Sequence, residues 1–496
     1  MTEKESLDFE KTFREAARRK YKRFVSYLNP SYDWQFFHEI IADHLQRFAK
    51  GEIKKLMVTM PPQHGKSELS TRNFPAFLFG LKPDRKIAIC SYSADKARKF
   101  SREVQQRFSD QRYKRIFPTV RLATAKDEDV TKTMQEFDVL SKGKNGEIVR
   151  GNCKAVGRQG PLTGDPVDIA ILDDLFKDNM EAQSPKIREN AWDWIETVVE
   201  SRLHNLSQIL YVTTRWHSDD ASGRWLDRDG YYSESNPNGW LVLNFPAIKT
   251  SEINSYDQRP TGSALWPAKH SLERMQAIQK NSSGTFNALY QGDPKPSLES
   301  LIFGDWIEID EYPTVDVEFY GLDFGYSNDP TALTRIGKIG KSLYLDEMIY
   351  ETALTNPDIL QRAHLARVGV TQEVFADSAE PKSIEELKRG HFDKDTKTNY
   401  AGINAKPVVK GPGSISAGIT KLKEYTVYVT KRSRNIIRER NNYTWIMAGG
   451  KATNVPIDDF NHAIDGIRSA VYTKYSKPVA AKAKASVPVR KSNSWR

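Results

Sequence analysis

Residues 57–67 read Met-Val-Thr-Met-Pro-Pro-Gln-His-Gly-Lys-Ser. A short apolar strand, Leu56 to Thr59, runs into a tight loop that ends in Gly-Lys-Ser, and a helix-compatible run from Glu68 to Phe79 follows. Strand, loop and helix in that order let backbone N–H groups wrap a phosphate. A lysine then reaches the β- and γ-phosphates and a hydroxyl ligates Mg²⁺. On this reading Gln63, His64 and Gly65 form the wrapping backbone, Lys66 carries the charge and Ser67 is the Mg²⁺ ligand of an ATP site. Met60 stands where such loops usually open with glycine, and Pro61 and Pro62 follow it. A turn that merely contains Gly-Lys-Ser is the plain alternative.

A second segment favours the functional reading. Val167-Asp168-Ile169-Ala170-Ile171-Leu172-Asp173-Asp174 is an apolar strand ending in two carboxylates. Such a strand is expected beside the loop strand, with Asp173 holding Mg²⁺ and Asp174 polarising the attacking water. Glu is the usual residue at the second place, and Asp174 is one methylene shorter. Gln208 to Thr214 is a further apolar strand, followed by Arg215-Trp216-His217. Thr213 and Thr214 at its end are candidates to touch the γ-phosphate site, or simply β-branched residues suited to a strand. Arg158, in Gly157-Arg158-Gln159-Gly160, is a candidate arginine finger, in cis or from a neighbour, or an ordinary surface arginine.

From Lys55 to about Ile248, apolar strand-like runs alternate with longer amphipathic stretches, the rhythm of an α/β domain with a mainly parallel sheet. The expected division is a helical lead-in over 1–50, a P-loop ATPase domain over 51–250, a proline-bearing linker over 251–300, a second strand-rich domain over 301–475, and a basic tail over 476–496. That tail, rich in Ala, Pro, Ser and Lys with no acidic residue, is expected to be disordered. The chain's 496 residues suffice for two or three domains. No apolar run approaches the ~20 residues of a membrane span. Only two cysteines occur, Cys90 and Cys153, which speaks against a disulfide framework or zinc site. The net charge of +10 is compatible with a polyanionic partner.

The second domain carries its own carboxylates. Asp323 ends Tyr320-Gly321-Leu322-Asp323, and Asp377 follows the run Val374-Phe375-Ala376. Asp465 lies in Asn461-His462-Ala463-Ile464-Asp465, at the start of a helix. Val317–Phe324, Thr331–Ile336 and Ser342–Ile349 read as three strands, with a hairpin turn at Gly337 to Lys341. Aspartates on a first strand, after a hairpin-containing sheet and on a late helix are the layout of a ribonuclease H-like nuclease. There, two divalent ions ~3.5–4 Å apart are bridged by carboxylates. His462, three residues before Asp465, shares its helix face and is expected to support the ligands or to pack.

Together these segments resemble the large terminase subunit of tailed bacteriophages over roughly residues 30 to 475. The residues that carry the resemblance are Met60 to Ser67, Leu172-Asp173-Asp174 with Lys177-Asp178, Val212 to His217, and Asn461 to Asp465. The resemblance implies an N-terminal ATPase that drives double-stranded DNA into a procapsid and a C-terminal nuclease that cuts the concatemer. It implies ATP and Mg²⁺ as cofactors, with Mn²⁺ possible at the nuclease site. Asp323, Asp377 and Asp465 would take the nuclease metals. Thr213-Thr214 would form the coupling motif, and Gln35, beside Trp34 and Phe36, would contact adenine. Implied partners are the portal protein, the small terminase subunit and further copies in a ring, with no membrane, in the host cytoplasm and docked on the procapsid. The motifs alone leave a helicase-like ATPase with a binding-only second domain as the competing reading, and a non-catalytic assembly protein as a third.

Overall fold

The structure is a computed structural model. It describes residues 3–143, 145–162, 164, 166–250, 256–281, 283–294, 301–325, 329–448 and 451–476. All but the first residue of the segment expected as a basic tail lies outside these. The chain divides into two compact units, Met1–Ser297 and Leu298–Arg496.

The first unit is built on eight strands: β1 (Lys55–Thr59), β2 (Lys86–Ser91), β3 (Val120–Leu122), β4 (Glu136–Lys142), β5 (Ile148–Gly157), β6 (Val167–Asp173), β7 (Leu203–Thr213) and β8 (Leu241–Asn244). Their order is β3-β4-β5-β2-β6-β7-β1-β8. The six strands from β5 to β8 are parallel, and β3 and β4 add an antiparallel edge. Successive side chains of a strand face opposite ways. Leu56, Val58, Ile87, Ile89, Ile169, Ile171, Leu210 and Val212 therefore enter one core cluster, and Met57, Ala88, Cys90, Ala170, Leu172, Ile209 and Tyr211 the other. Burial on both faces is why these strands are near-continuous apolar runs.

Two expectations need correction. The aspartate strand does not lie beside the loop strand: β7 is inserted between β6 and β1. The register pairs Thr59 with Thr213 and Asp173 with Val212, which sets the end of β7 between the loop and the carboxylates. The segment expected as a linker is folded chain of the first unit. It carries helices Leu272–Asn281 and Ser283–Gln291, and Met275 and Phe286 bury against Ala247 and Ile248. Gln291 exchanges hydrogen bonds with the backbone of Ile248, donating at 2.8 Å and accepting at 3.0 Å. The lead-in is likewise part of this unit. Its helices Tyr21–Leu28 and Phe36–Ala49 bury Phe24, Phe37, Leu45 and Phe48 in the same cluster as Leu56 and Val58.

The second unit has β9 (Ile307–Ile309), β10 (Val317–Asp323), β11 (Thr331–Ile339), β12 (Ser342–Glu351), β13 (Glu373–Ala376), the small hairpin β14 (His391–Asp393) and β15 (Thr398–Tyr400), β16 (Asn404–Pro407), β17 (Thr426–Thr430), and the hairpin β18 (Trp445–Ala448) and β19 (Lys451–Pro456). Its main sheet runs β16-β13-β10-β11-β12-β17-β9. β10, β11 and β12 are an antiparallel meander, and β13 pairs parallel with β10. This is a ribonuclease H-like sheet. The helix His462–Tyr475 lies across β10, and its Ile464 and Ile467 enter a core with Phe319, Leu343 and Leu345.

Candidate functional site

The first site forms where β1, β6 and β7 end. Gln63 and Gly65 have left-handed backbone, with φ of 62° and 88°. A side chain at Gly65 would also meet His38: a Cβ there falls 2.8 Å from His38 Nε2. Only glycine meets both demands. His38 holds the loop from behind. Its Nδ1 accepts the Gln35 N–H at 3.3 Å and its Nε2 donates to the His64 carbonyl at 2.8 Å. Gln35 is thereby the N-cap of the helix that braces the loop, with its side-chain amide bonded to Asp33 at 2.7 Å. Burial lowers the proton affinity of His38 and pushes His64 down to about 4.

Lys66 is buried and its ammonium donates to Asp174 Oδ1 at 3.1 Å and to the Thr214 hydroxyl. The Thr214 N–H donates to the same Asp174 oxygen at 2.8 Å. Asp174 has a φ of 47°, and its backbone bonds Val212 and Tyr92. Asp173 points the other way along the turn. It accepts the Ser67 hydroxyl at 3.0 Å and the Thr71 hydroxyl. Burial, and then the charge of Asp174, push Asp173 up to about 6. A buried carboxylate so disfavoured as an anion, flanked by the hydroxyls of Ser67 and Thr71, suits a hard divalent cation with oxygen ligands. Ser67 and Asp173 are the residues that would hold it.

Arg158 sits at the end of β5. Its guanidinium donates to the Leu175 carbonyl at 2.9 Å, pairs with Glu181 at 3.0 Å and lies over Phe176. The fold thus brings it to the turn that follows Asp174, held there by Glu181. Sequence reasoning missed Thr71, one helical turn beyond Ser67. It also missed Lys269, which donates to the Gln63 carbonyl at 2.9 Å, and His270, which stacks on His64 with centroids 4.5 Å apart. Lys269 and His270 come from the supposed linker, so no local pattern pointed to them.

The second site lies in the other unit. Asp323 ends β10, Asp377 follows β13, and Asp465 is on the first turn of the helix His462–Tyr475. All three line one cavity of about 50 Å³, together with Lys410 and Ser469. Burial, and secondarily the charge of Asp377, raise Asp323 above the usual carboxylate range. Burial pushes Asp465 up to about 6, with Asp323 adding to it against the pull of Arg468. Burial opposes a charge on His462, yet Asp323, whose carboxylate lies 3.8 Å from Nδ1, and Glu439 outweigh it and raise the group. Among the described residues no three acidic, histidine or cysteine side chains form a ready set of ligands to one ion. Two of the aspartates are engaged by cations instead: Asp377 by Lys410 at 2.6 Å and Asp465 by Arg468 at 2.9 Å. Three carboxylates in one small cavity, with Asp323 and Asp465 both disfavoured as anions, fit divalent cations by charge and by oxygen chemistry.

The helix that carries Asp465 is fixed by a residue the motifs did not reveal. Glu439 is buried and accepts the N–H groups of Ala463 and Ile464 at 3.1 and 2.9 Å, and the Tyr350 hydroxyl at 2.9 Å. Burial pushes it up to about 7 despite those bonds.

Two family models match the chain. One, for the terminase large subunit, T4likevirus-type, N-terminal, covers residues 57–309; the other, for the terminase RNAseH like domain, covers 323–473. The large terminase subunit of Bacillus phage SPP1 is 26% identical over 296 residues, 56% of this chain and 66% of its own length, just short of two thirds of that relative. Among solved structures, the large terminase (g2p) nuclease domain of bacteriophage SPP1 with bound Mn is 25% identical. It covers 34% of this chain and 97% of its own, with a TM-score of 0.30. The HK97 bacteriophage large terminase is 12% identical, covering 89% of this chain and 95% of its own, with a TM-score of 0.44. The large terminase of a thermophilic bacteriophage, in complex with ADP, is 12% identical, covering 86% and 98%, with a TM-score of 0.31.

Proposed function

The chain belongs to the terminase large subunit family, and from that premise we propose that it is a DNA-packaging motor subunit, an ATPase that translocates double-stranded DNA and a nuclease that cuts it. The observation that carries the reading is the meeting of Lys66, Asp173, Asp174 and Thr214 from three distant segments where the central strands β1, β6 and β7 end. Lys66 is the loop's positive charge for the β- and γ-phosphates. Its bond to Asp174 exchanges for the γ-phosphate, which leaves Asp174 to accept a proton from the attacking water. Thr214 touches both partners, so this exchange is felt at the end of β7. Arg158, released from Glu181, stabilises transition-state charge in its own site or a neighbour's. Gln35 contacts the base from the loop's flank.

In the second unit Asp323, Asp377 and Asp465 hold the metals and His462 orients Asp323. Divalent ions bound there supply an activated water and charge for the leaving oxygen. The same reading gives double-stranded DNA, the portal protein, the small terminase subunit and further copies of the chain as partners, in the host cytoplasm and on the procapsid. No helix among the described residues is long and apolar enough to cross a membrane. The test is a pair of full-length variants assayed for both activities. Lys66→Ala should lose ATP hydrolysis and keep Mg²⁺-dependent DNA cleavage, and Asp323→Ala the reverse. Near-normal hydrolysis by the first would sink the ATPase assignment. Full cleavage by the second would leave the competing reading of a binding-only domain.

A further inference from the structure

A nuclease must seat a polyanion against aspartates that repel it. Lys410 and Arg468 are cations beside the acidic cavity, and each serves as counter-ion to one of its aspartates. Lys410 contacts both oxygens of Asp377, and Arg468 contacts Asp465. They also line a second cavity of about 160 Å³, which adjoins the first and shares Lys410, Asp465 and Ser469 with it. That volume is several times the ~30 Å³ of a water molecule. The hydroxyl-bearing residues Ser414, Ser469 and Tyr472 and the aliphatic Val409 and Ile415 complete the lining, with no carboxylate besides Asp465.

The two cations are held differently. Arg468 is 6% exposed at its side chain and crosses Gly418, where a Cβ would fall 2.6 Å from Arg468 Cγ. It is fixed in place. Lys410 is 46% exposed at its side chain, but the chain before it is pinned. The Val408 N–H donates to the Ala376 carbonyl at 2.9 Å, and the Val409 N–H to the Thr473 hydroxyl at 2.9 Å. Its long stem therefore pivots about a fixed point between the two cavities.

We propose that the larger cavity is the subsite for a DNA backbone phosphate flanking the scissile one. Arg468 is its fixed wall, and Lys410 is a positioning residue that trades Asp377 for that phosphate. The inference rests on the nuclease reading of Asp323, Asp377 and Asp465. In the structure Lys410 neutralises Asp377. From its pivot the ammonium can leave that carboxylate for the phosphate, and so sets the register of the strand to be cut. A neighbouring phosphate carries no base information, so the contact is independent of sequence.

The experiment measures DNA affinity of the full chain against salt, with Ca²⁺ in place of Mg²⁺ so that the DNA stays whole. One phosphate contact contributes about one unit to the slope of log affinity against log salt. Lys410→Ala should bind about tenfold more weakly at low salt, the scale of one charge-assisted contact, with the slope reduced by about one. Lys410→Arg should keep the slope. Under single turnover in Mn²⁺, Lys410→Ala should raise the DNA concentration for half-maximal cleavage more than it lowers the maximal rate. Unchanged affinity and slope in Lys410→Ala, with tighter Mn²⁺ binding, would make Lys410 a counter-ion only and overturn the proposal. Equal losses in the Ala and Arg variants would do the same. Failure of the underlying reading looks different: cleavage would then survive Asp323→Ala or a chelator.

Discussion

At Asp174 one side chain answers to two neighbours. It accepts from Lys66 and from the Thr214 N–H through the same oxygen, and its backbone is left-handed. Asn is among the few residues that tolerate that conformation, and its amide oxygen can still accept from Thr214. Asp174→Asn therefore changes charge with little change in backbone. It should bind ATP with near-normal affinity and lose about 10²–10⁴-fold in turnover, the scale of a positioned general base. Binding of a labelled nucleotide beside steady-state hydrolysis checks this, and loss of binding together with turnover would make Asp174 a structural residue. Lys66→Ala is the more severe change, because it removes the loop's only ammonium and leaves Asp174 without its cation. Hydrolysis should fall below detection.

The helix His462–Tyr475 delivers Asp465, and two contacts set where it lies. The first is a glycine crossing. A Cβ on Gly321 in β10 would fall 2.4 Å from the Gly466 carbonyl, a backbone atom that cannot swing aside. Gly321→Ala should lift the helix off the strand, cost about 1–3 kcal/mol as an overpacked contact, and part Asp465 from Asp323. DNA cleavage should fall while ATP hydrolysis, seated in the other unit, holds; thermal unfolding and both assays check it. The second contact is Glu439. Its folded value of about 7 lies above the ordinary value of 4.5, so the folded state holds the proton more tightly. The resulting stabilisation is full below pH about 4.5 and is lost as pH rises through about 7. It amounts to on the order of 3 kcal/mol. Glu439→Gln carries no charge at any pH. It should flatten this part of the pH–stability curve of the second unit, and a curve parallel to that of the unchanged chain would rule the assignment out. Neither contact was legible in the sequence. Gly321 and Gly466 look like ordinary glycines, and Glu439 lies in the short segment Arg434–Arg440 with no motif.

Across the whole chain, legibility followed burial and adjacency. β1, β2, β6 and the second half of β7 stood out because each is buried on both faces and so is mainly apolar. β4 and β5 carry Glu136, Asp138, Lys142, Arg150 and Lys154 on a partly exposed antiparallel edge, and their polar pattern hid them. The segment 256–294 looked like a linker because its composition is polar, yet Trp266, Met275 and Phe286 are buried. Asp173 and Asp174 were readable as neighbours in sequence. Lys410, Arg468 and Lys269 acquire their places only from the fold. The three aspartates proposed for the nuclease site were singled out only by their order along the chain, and they make the last test the most demanding. Asp323→Ala, Asp377→Ala and Asp465→Ala should each abolish DNA cleavage and leave ATP hydrolysis intact, because each would remove one of the carboxylates that would hold the divalent ions. The losses should not add: a double variant should be no worse than a single one, since the three act as a unit. Cleavage should require Mg²⁺ or Mn²⁺, vanish with a chelator, and be poorly supported by Ca²⁺, whose larger and looser coordination sphere misplaces the attacking water. Full cleavage by any one variant would remove that residue from the site, and chelator-resistant cleavage by the unchanged chain would remove the metal mechanism itself.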